Sequence, residues 1–278
     1  MKKEIDPRYI PDNLPKRGNI LLYVWRMIRK IFCVSFFSVG SIIIAAIVFP
    51  FIRLFNLNNQ ERFRRAGHHF ISLILNFFVY MMKILHISIF KVDDIERLRN
   101  LKGCVIVANH PSLLDVVYTL SFVKNADCIV KAELVNSPMG GIVKNLYITN
   151  NVDFEKMTED CIKCLKEGSN LIIFPEGTRS PYKGENAYKK GAARIALAAG
   201  ANVQPMHIGG NMKYGLGKYE PFWKVHPTDI YRYEFKVLPQ IDITKYKDLA
   251  PAIAAKRLTE DMRLVIDSEG AKLPSYED

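Results

Sequence analysis

The chain has 278 residues, of which 49% are apolar and 24% charged, and it carries a net charge of +11. That length and composition support a sizeable core and exclude a disordered or low-complexity protein. Five cysteines, an odd number without regular spacing, exclude a secreted disulfide framework and fit a reducing compartment.

The charge is unevenly placed. Residues 1–102 hold 17 Lys and Arg against 7 Asp and Glu, whereas 103–278 hold 22 against 21. A nucleic-acid enzyme would carry its basic face on the domain that reads, but here the basic third is also the most apolar third, so nucleic acid is not an expected partner. Cations beside long apolar runs point to an anionic membrane surface. Residues 31–52, "IFCVSFFSVGSIIIAAIVFPFI", run 22 residues without a charge, long enough to cross a bilayer core of roughly 30 Å as a helix. Arginines on both sides leave the direction open between a single span and a re-entrant hairpin with both ends on one side. A second apolar segment at 70–90, interrupted by Lys83, is expected to lie in the interface or return through the membrane. The alternative is a pair of buried core helices, disfavoured because buried helices rarely run so long without a polar stripe. Residues 1–90 are thus expected to form a basic, membrane-associating helical region.

Residues 91–278 read differently. "CVIVAN" (104–109) is a buried strand, "PSLLDVVYTLSFV" (111–123) a helix and "DCIVKAEL" (127–134) a strand; 153–168 is an amphipathic helix and "NLIIFP" (170–175) a strand. Then come a helix over 188–200 closed by Gly200, strands over 202–210 and 231–238, and a C-terminal helix over 249–268. The alternation predicts an α/β domain with a mostly parallel or mixed sheet covered by helices.

In such sheets ligands gather beyond the carboxyl ends of the strands, where "NHPSLLD" and "EGTRS" both fall. Pro111 keeps His110 out of the helix and suits a first helical position, so Asp115, five residues on, can accept a hydrogen bond from one imidazole nitrogen. The other nitrogen is left as a base for a hydroxyl that attacks an acyl carbon. A buried His–Asp pair that merely satisfies itself is the structural alternative. Ser112 lacks a G-x-S-x-G setting and reads as a capping residue rather than a nucleophile. "CIKC" (161–164), a lone C-x-x-C on an amphipathic helix, reads as a helix face, and "FPEGTRS" does not match a Walker A loop.

"NHPSLLD", followed about 60 residues later by "FPEGTRS" and then by "VQPM", resembles the glycerolipid acyltransferase family, whose best-known members are bacterial 1-acylglycerol-3-phosphate acyltransferases. The resemblance covers roughly residues 100–210. It implies that His110 is the general base and Asp115 its orienting partner, and that Glu176, Gly177, Thr178, Arg179 and Ser180 bind the acceptor's glycerol and phosphate. "KAEL" looks like the family's K-x-E-L, placing Lys131 in the same site, and Pro205 matches a motif linked to acyl-chain or donor binding. The implied activity is membrane-associated O-acyl transfer from acyl-CoA or acyl carrier protein to a lipid hydroxyl, that of 1-acylglycerol-3-phosphate or another lysolipid. Membrane lipids are the implied partners, with no metal or redox cofactor. The implied place is the bacterial inner membrane with the catalytic domain on the cytoplasmic side. The alternative is a membrane-anchored lipid or thioester hydrolase using the same pair. One departure stands out. The family's second motif commonly ends in a phosphate-binding arginine, but here it reads "NLYITNN", with Thr149, Asn150 and Asn151. Asparagine cannot replace that charge, so an acceptor other than lysophosphatidic acid is expected.

Overall fold

The apolar runs and amphipathic stretches fold into a parallel-type sheet between two helical layers. The computed structural model describes residues 5–12, 14–57, 59–150, 153–221 and 223–272, and Asn151 of the second motif falls outside them.

After a short 3-10 turn, Pro7–Tyr9, comes α1 (Ile20–Ile43), capped by the Asn19 side chain, which accepts from the Leu21 amide at 2.8 Å. A π-helical turn, Ile44–Val48, carries it into α2 (Phe49–Leu54). Pro50 explains that turn: its ring has no N–H to give and would clash with the carbonyl four residues back, which a wider turn avoids. Ile20–Leu54 is one helix of 35 residues, long and apolar enough to cross a membrane, and 11% of its most apolar stretch is buried. Large side chains along it, including Leu21, Trp25, Phe32, Ile47 and Phe51, face outward.

The second apolar segment behaves otherwise. It splits into α3 (Gln60–Ile84) and β1 (Ser88–Val92). One stripe of α3, with Phe63, Ile71, Leu75, Phe78, Val79 and Met82, is buried in the core, so here the core-helix alternative holds. Leu73, Phe77, Tyr80 and Ile84 on its other side stay exposed, and Phe37 of α1 packs on Phe78 at 5.1 Å between ring centres. The break expected between residues 90 and 91 falls inside β1, because the first 90 residues supply both core side chains and a strand to the α/β body.

After α4 (Ile95–Asn100) come β2 (Val105–Ala108), α5 (Asp115–Phe122), β3 (Ala126–Val130), α6 (Gly140–Leu146) and β4 (Ile148–Thr149). Then follow α7 (Phe154–Lys166), β5 (Asn170–Ile173), α8 (Gly191–Ala199), β6 (Val203–Gly210), β7 (Tyr231–Val237) and α9 (Pro251–Gly270). The strand expected over 127–134 ends at Val130, and "KAEL" enters a 3-10 turn, Ala132–Asn136. The helix expected from Pro111 begins only at Asp115, because the Asp115 carboxylate takes the Ser112 amide and hydroxyl and holds 112–114 in a turn.

Among the described residues seven strands form one sheet, ordered β1-β7-β6-β2-β5-β3-β4, with every pairing parallel except β6 with β7. Successive residues of β2 serve opposite layers. Ile106 and Ala108 join the core under α3 and α5, while Val105 and Val107 join the core under α7, α8 and α9.

All five cysteines are free and buried, those of "CIKC" within the second core. Burial pushes the Cys104 thiol up to about 11 and those of Cys128 and Cys161 up to about 12. At pH 8 fewer than about one in a thousand of the Cys104, Cys128 and Cys161 thiols would be thiolate. Alkylation of folded protein should therefore leave these three unlabelled, and denaturant should expose them. Rapid labelling of Cys161 in the folded protein would contradict the packing.

Candidate active site

The connections from β2 and β5 part in opposite directions. β2 leads to α5 on one face of the sheet, β5 leads to α8 on the other, and the two strands are neighbours. Such a point opens a crevice beyond the carboxyl ends of the strands, and "NHPSLLD" and "EGTRS" meet in it.

His110 Nδ1 lies 2.8 Å from Asp115 Oδ2. The aspartate is fully buried, and it also accepts from the Ser112 amide at 2.7 Å and the Ser112 hydroxyl at 2.5 Å. Since the Ser112 proton goes to the carboxylate, the Tyr233 hydroxyl, 2.8 Å from Ser112 Oγ, must donate to it. Tyr233 comes from β7 and is itself buried. Asp115 is thereby fixed as an acceptor, and the imidazole must present its proton at Nδ1 and a lone pair at Nε2. The ring stacks on Phe174 with 4.2 Å between centres, and 17% of its side chain is exposed. Ser112, with no exposed surface, is engaged on every side and unavailable as a nucleophile.

The "EGTRS" turn is tied to this dyad through the main chain. The His110 amide meets Ser180 Oγ at 3.0 Å and Glu176 Oε1 at 3.2 Å, and the Ser180 amide donates to the His110 carbonyl at 2.7 Å. Glu176 accepts from Ser180 Oγ at 2.5 Å and Asn186 Nδ2 at 2.8 Å. Burial pushes its carboxyl above the ordinary range, and those hydrogen bonds pull it back. Asn186 is held in turn by the Tyr9 hydroxyl, 3.1 Å from its Oδ1. Gly177 has φ +68°, and a Cβ there would lie 2.7 Å from Lys189 Nζ, so the exposed Lys189 ammonium sits over the turn. Arg179 places Nη1 on the carbonyls of Leu216 (3.0 Å) and Gly217 (2.6 Å), and its Nε and Nη2 meet no acceptor among the described residues. Thr178 is half-buried within the turn.

A family model described as acyltransferase matches residues 89–209, which span both motifs. Residues 89–209 are an acyltransferase-family domain. The chain is 33% identical over 185 residues to the chloroplastic 1-acyl-sn-glycerol-3-phosphate acyltransferase BAT2 of Brassica napus, covering 62% of this chain and 48% of that one. It is 27% identical over 163 residues to the 1-acyl-sn-glycerol-3-phosphate acyltransferase of Pseudomonas aeruginosa, covering 55% and 61%. The chain spans about half the length of the first of these relatives. The crystal structure of the 1-acyl-sn-glycerophosphate acyltransferase PlsC from Thermotoga maritima superposes with a TM-score of 0.67 at 20% identity, covering 92% of this chain and 98% of that one. The fold is therefore that of PlsC.

Within the acyltransferase domain the expected site residues are only partly brought together. His110, Asp115, Glu176, Gly177, Thr178, Arg179 and Ser180 form one cluster. Lys131 is exposed at the end of β3, with β5 lying between that strand and β2. Pro205 is buried inside β6 in register with Val107, and its carbonyl accepts from Leu238 at 3.0 Å, so its place is in the sheet. Asn150 Oδ1 accepts from the Ala132 amide at 3.0 Å and caps the "KAEL" turn. Its position serves the backbone rather than a missing cation. Sequence reading missed Tyr233, Asn186, Lys189 and the 213–217 loop, since each reaches the motifs only through folding.

Proposed function

We propose that this protein is a membrane-associated O-acyltransferase that moves an acyl group from a thioester onto the free hydroxyl of 1-acylglycerol-3-phosphate. The observation that carries the reading is the oriented His110–Asp115 pair, its Nε2 without a hydrogen-bond partner among the described residues, in one crevice with the "EGTRS" turn. In this reading Nε2 takes the acceptor's hydroxyl proton as the oxygen attacks the thioester carbonyl. A C–O bond forms, the C–S bond breaks, and the proton leaves with the thiolate of coenzyme A or acyl carrier protein. The donor is a substrate, and no further cofactor enters the reaction.

The relatives' names supply the acceptor, and the charges at the site support it. Arg179 offers a guanidinium fork, and Lys189 over Gly177 offers a second cation in place of the one absent at Asn150. That weakens the expectation of an unusual acceptor. Membrane residence is supported by the outward apolar face of Ile20–Leu54. Both flanks of that helix bind the same body: the Arg8 carbonyl accepts from Tyr182 at 2.9 Å before it, and α3 is packed into the core after it. One unbroken helix of 35 residues cannot double back as a re-entrant hairpin, so a helix lying in the membrane interface, with both ends on the cytoplasmic side of a bacterial inner membrane, fits that arrangement better than a single crossing.

The test is kcat/KM in vesicles with a labelled acyl thioester and a panel of acceptors. Label should appear in a two-chain lipid, and Lys189→Gln should lower use of 1-acylglycerol-3-phosphate about tenfold, roughly one charge-assisted contact, while sparing monoacylglycerol. Free fatty acid as the sole product would favour the hydrolase, and equal use of monoacylglycerol by the wild type would remove the phosphate from the reading.

A further inference from the structure

Lys30 lies in the middle of the apolar helix, within α1, and is 4% exposed. Its ammonium is spent on three neutral oxygens: the Gly215 carbonyl at 2.8 Å, the Lys224 carbonyl at 2.5 Å and the Tyr231 hydroxyl at 3.3 Å. A buried cation whose direct hydrogen-bond partners are all neutral, with the Glu220 carboxylate attracting it only from farther off, is a costly choice where methionine would pack as well, and it calls for a purpose beyond filling space. The purpose lies in what it grips. Gly215 has φ +82°, and a Cβ there would stand 2.0 Å from the Lys224 carbonyl, so this loop closes on itself where the ammonium enters. The Glu220 carboxylate takes the amides of Gly215 (2.9 Å) and Gly217 (2.7 Å). The next carbonyls along, Leu216 and Gly217, are the two that seat Arg179. Leu216 also accepts from the amide of Leu113, which lies between His110 and Asp115.

We propose that Lys30 is a positioning residue that ties the membrane-facing helix to the 213–217 loop and through it sets the guanidinium of Arg179. This rests on the reading that Arg179 meets the acceptor's phosphate. With α1 seated, the loop is clamped from both ends, by Lys30 on one side and by Glu220 on the other. With α1 lifted away, Gly215 and Lys224 lose their donor and Arg179 loses its fixed seat, so acceptor binding is coupled to where the helix lies.

Two measurements on the full-length protein in vesicles test this. In Lys30→Met the amides of Leu113, Gly215 and Gly217 should exchange with solvent at least about tenfold faster, while those of β2 and β5 keep their protection. The KM for 1-acylglycerol-3-phosphate should rise about tenfold, with kcat and the donor KM within about twofold. Arg26→Gln is the control: on the same helix it donates to Pro227 (2.9 Å) and Thr228 (2.6 Å), outside the loop, and should change neither quantity. Should Lys30→Met fail to fold, Lys30→Gln, which keeps a shorter donor on that helix, carries the same comparison. Unchanged exchange at Leu113, Gly215 and Gly217, or equal loosening by Arg26→Gln, would overturn the proposal. An acceptor KM unmoved by Arg179→Ala would instead overturn the phosphate reading, and the exchange data would still decide the role of Lys30.

Discussion

His110→Ala is expected to fold, to stay with membranes and to lose acyl transfer by about a hundred- to ten-thousand-fold, the usual scale for removing a general base. The fold should survive because the ring stacks on Phe174 at the mouth of the crevice and fills little of either core. The main-chain ties also remain, since Glu176 and Ser180 hold the residue-110 amide rather than the imidazole. Circular dichroism and single-turnover transfer together make the test. A variant with wild-type spectra and near wild-type turnover would sink the mechanism.

Asp115→Asn is expected to come second, with a loss of about a hundredfold or more in kcat. The carboxylate receives three protons, from the Ser112 amide, the Ser112 hydroxyl and His110 Nδ1. An amide has one oxygen and one NH2, so one of these donors must face another donor. If the NH2 takes the Oδ2 position, the imidazole shifts its proton to Nε2 and stops being a base. If it takes the Oδ1 position, the Ser112 and Tyr233 hydroxyls must reverse, leaving a buried O–H without an acceptor. Either way the charge that steadied the imidazolium is gone. Transfer rates of the variant within about threefold of the wild type would mean that the histidine needs no orienting carboxylate.

Much of the α/β body was legible because buried parallel strands are continuous apolar runs: β2, β5 and β6 declare themselves without long-range knowledge. Both motifs could be placed at strand ends for the same reason. What escaped was everything that depends on tertiary partners. Ser88–Val92 reads as the tail of an apolar helix until Tyr231–Val237 is available to pair with it. Gln60–Ile84 is apolar on two sides, and sequence cannot say which side meets protein. In sequence Asn150 stands out by the charge it lacks, whereas its carbonyl oxygen is what the "KAEL" turn uses. Lys30 stands in sequence beside Arg26 and Arg29 ahead of the uncharged run, yet its partners are 185 to 201 residues away.

The protein's two tryptophans stand apart from its core. Trp25 lies on α1 and Trp223 in the segment after the 213–217 loop, and each is about half exposed, while the rings packed beneath the dyad are tyrosine and phenylalanine. Ultraviolet emission excited at the indole band therefore says little about whether the sheet is folded, because neither chromophore leaves a dry interior when it melts. It speaks instead for the outward helix and for the segment that follows the 213–217 loop, so quenchers carried on lipid tails and quenchers dissolved in water would report the depth of one and the exposure of the other without any label being added.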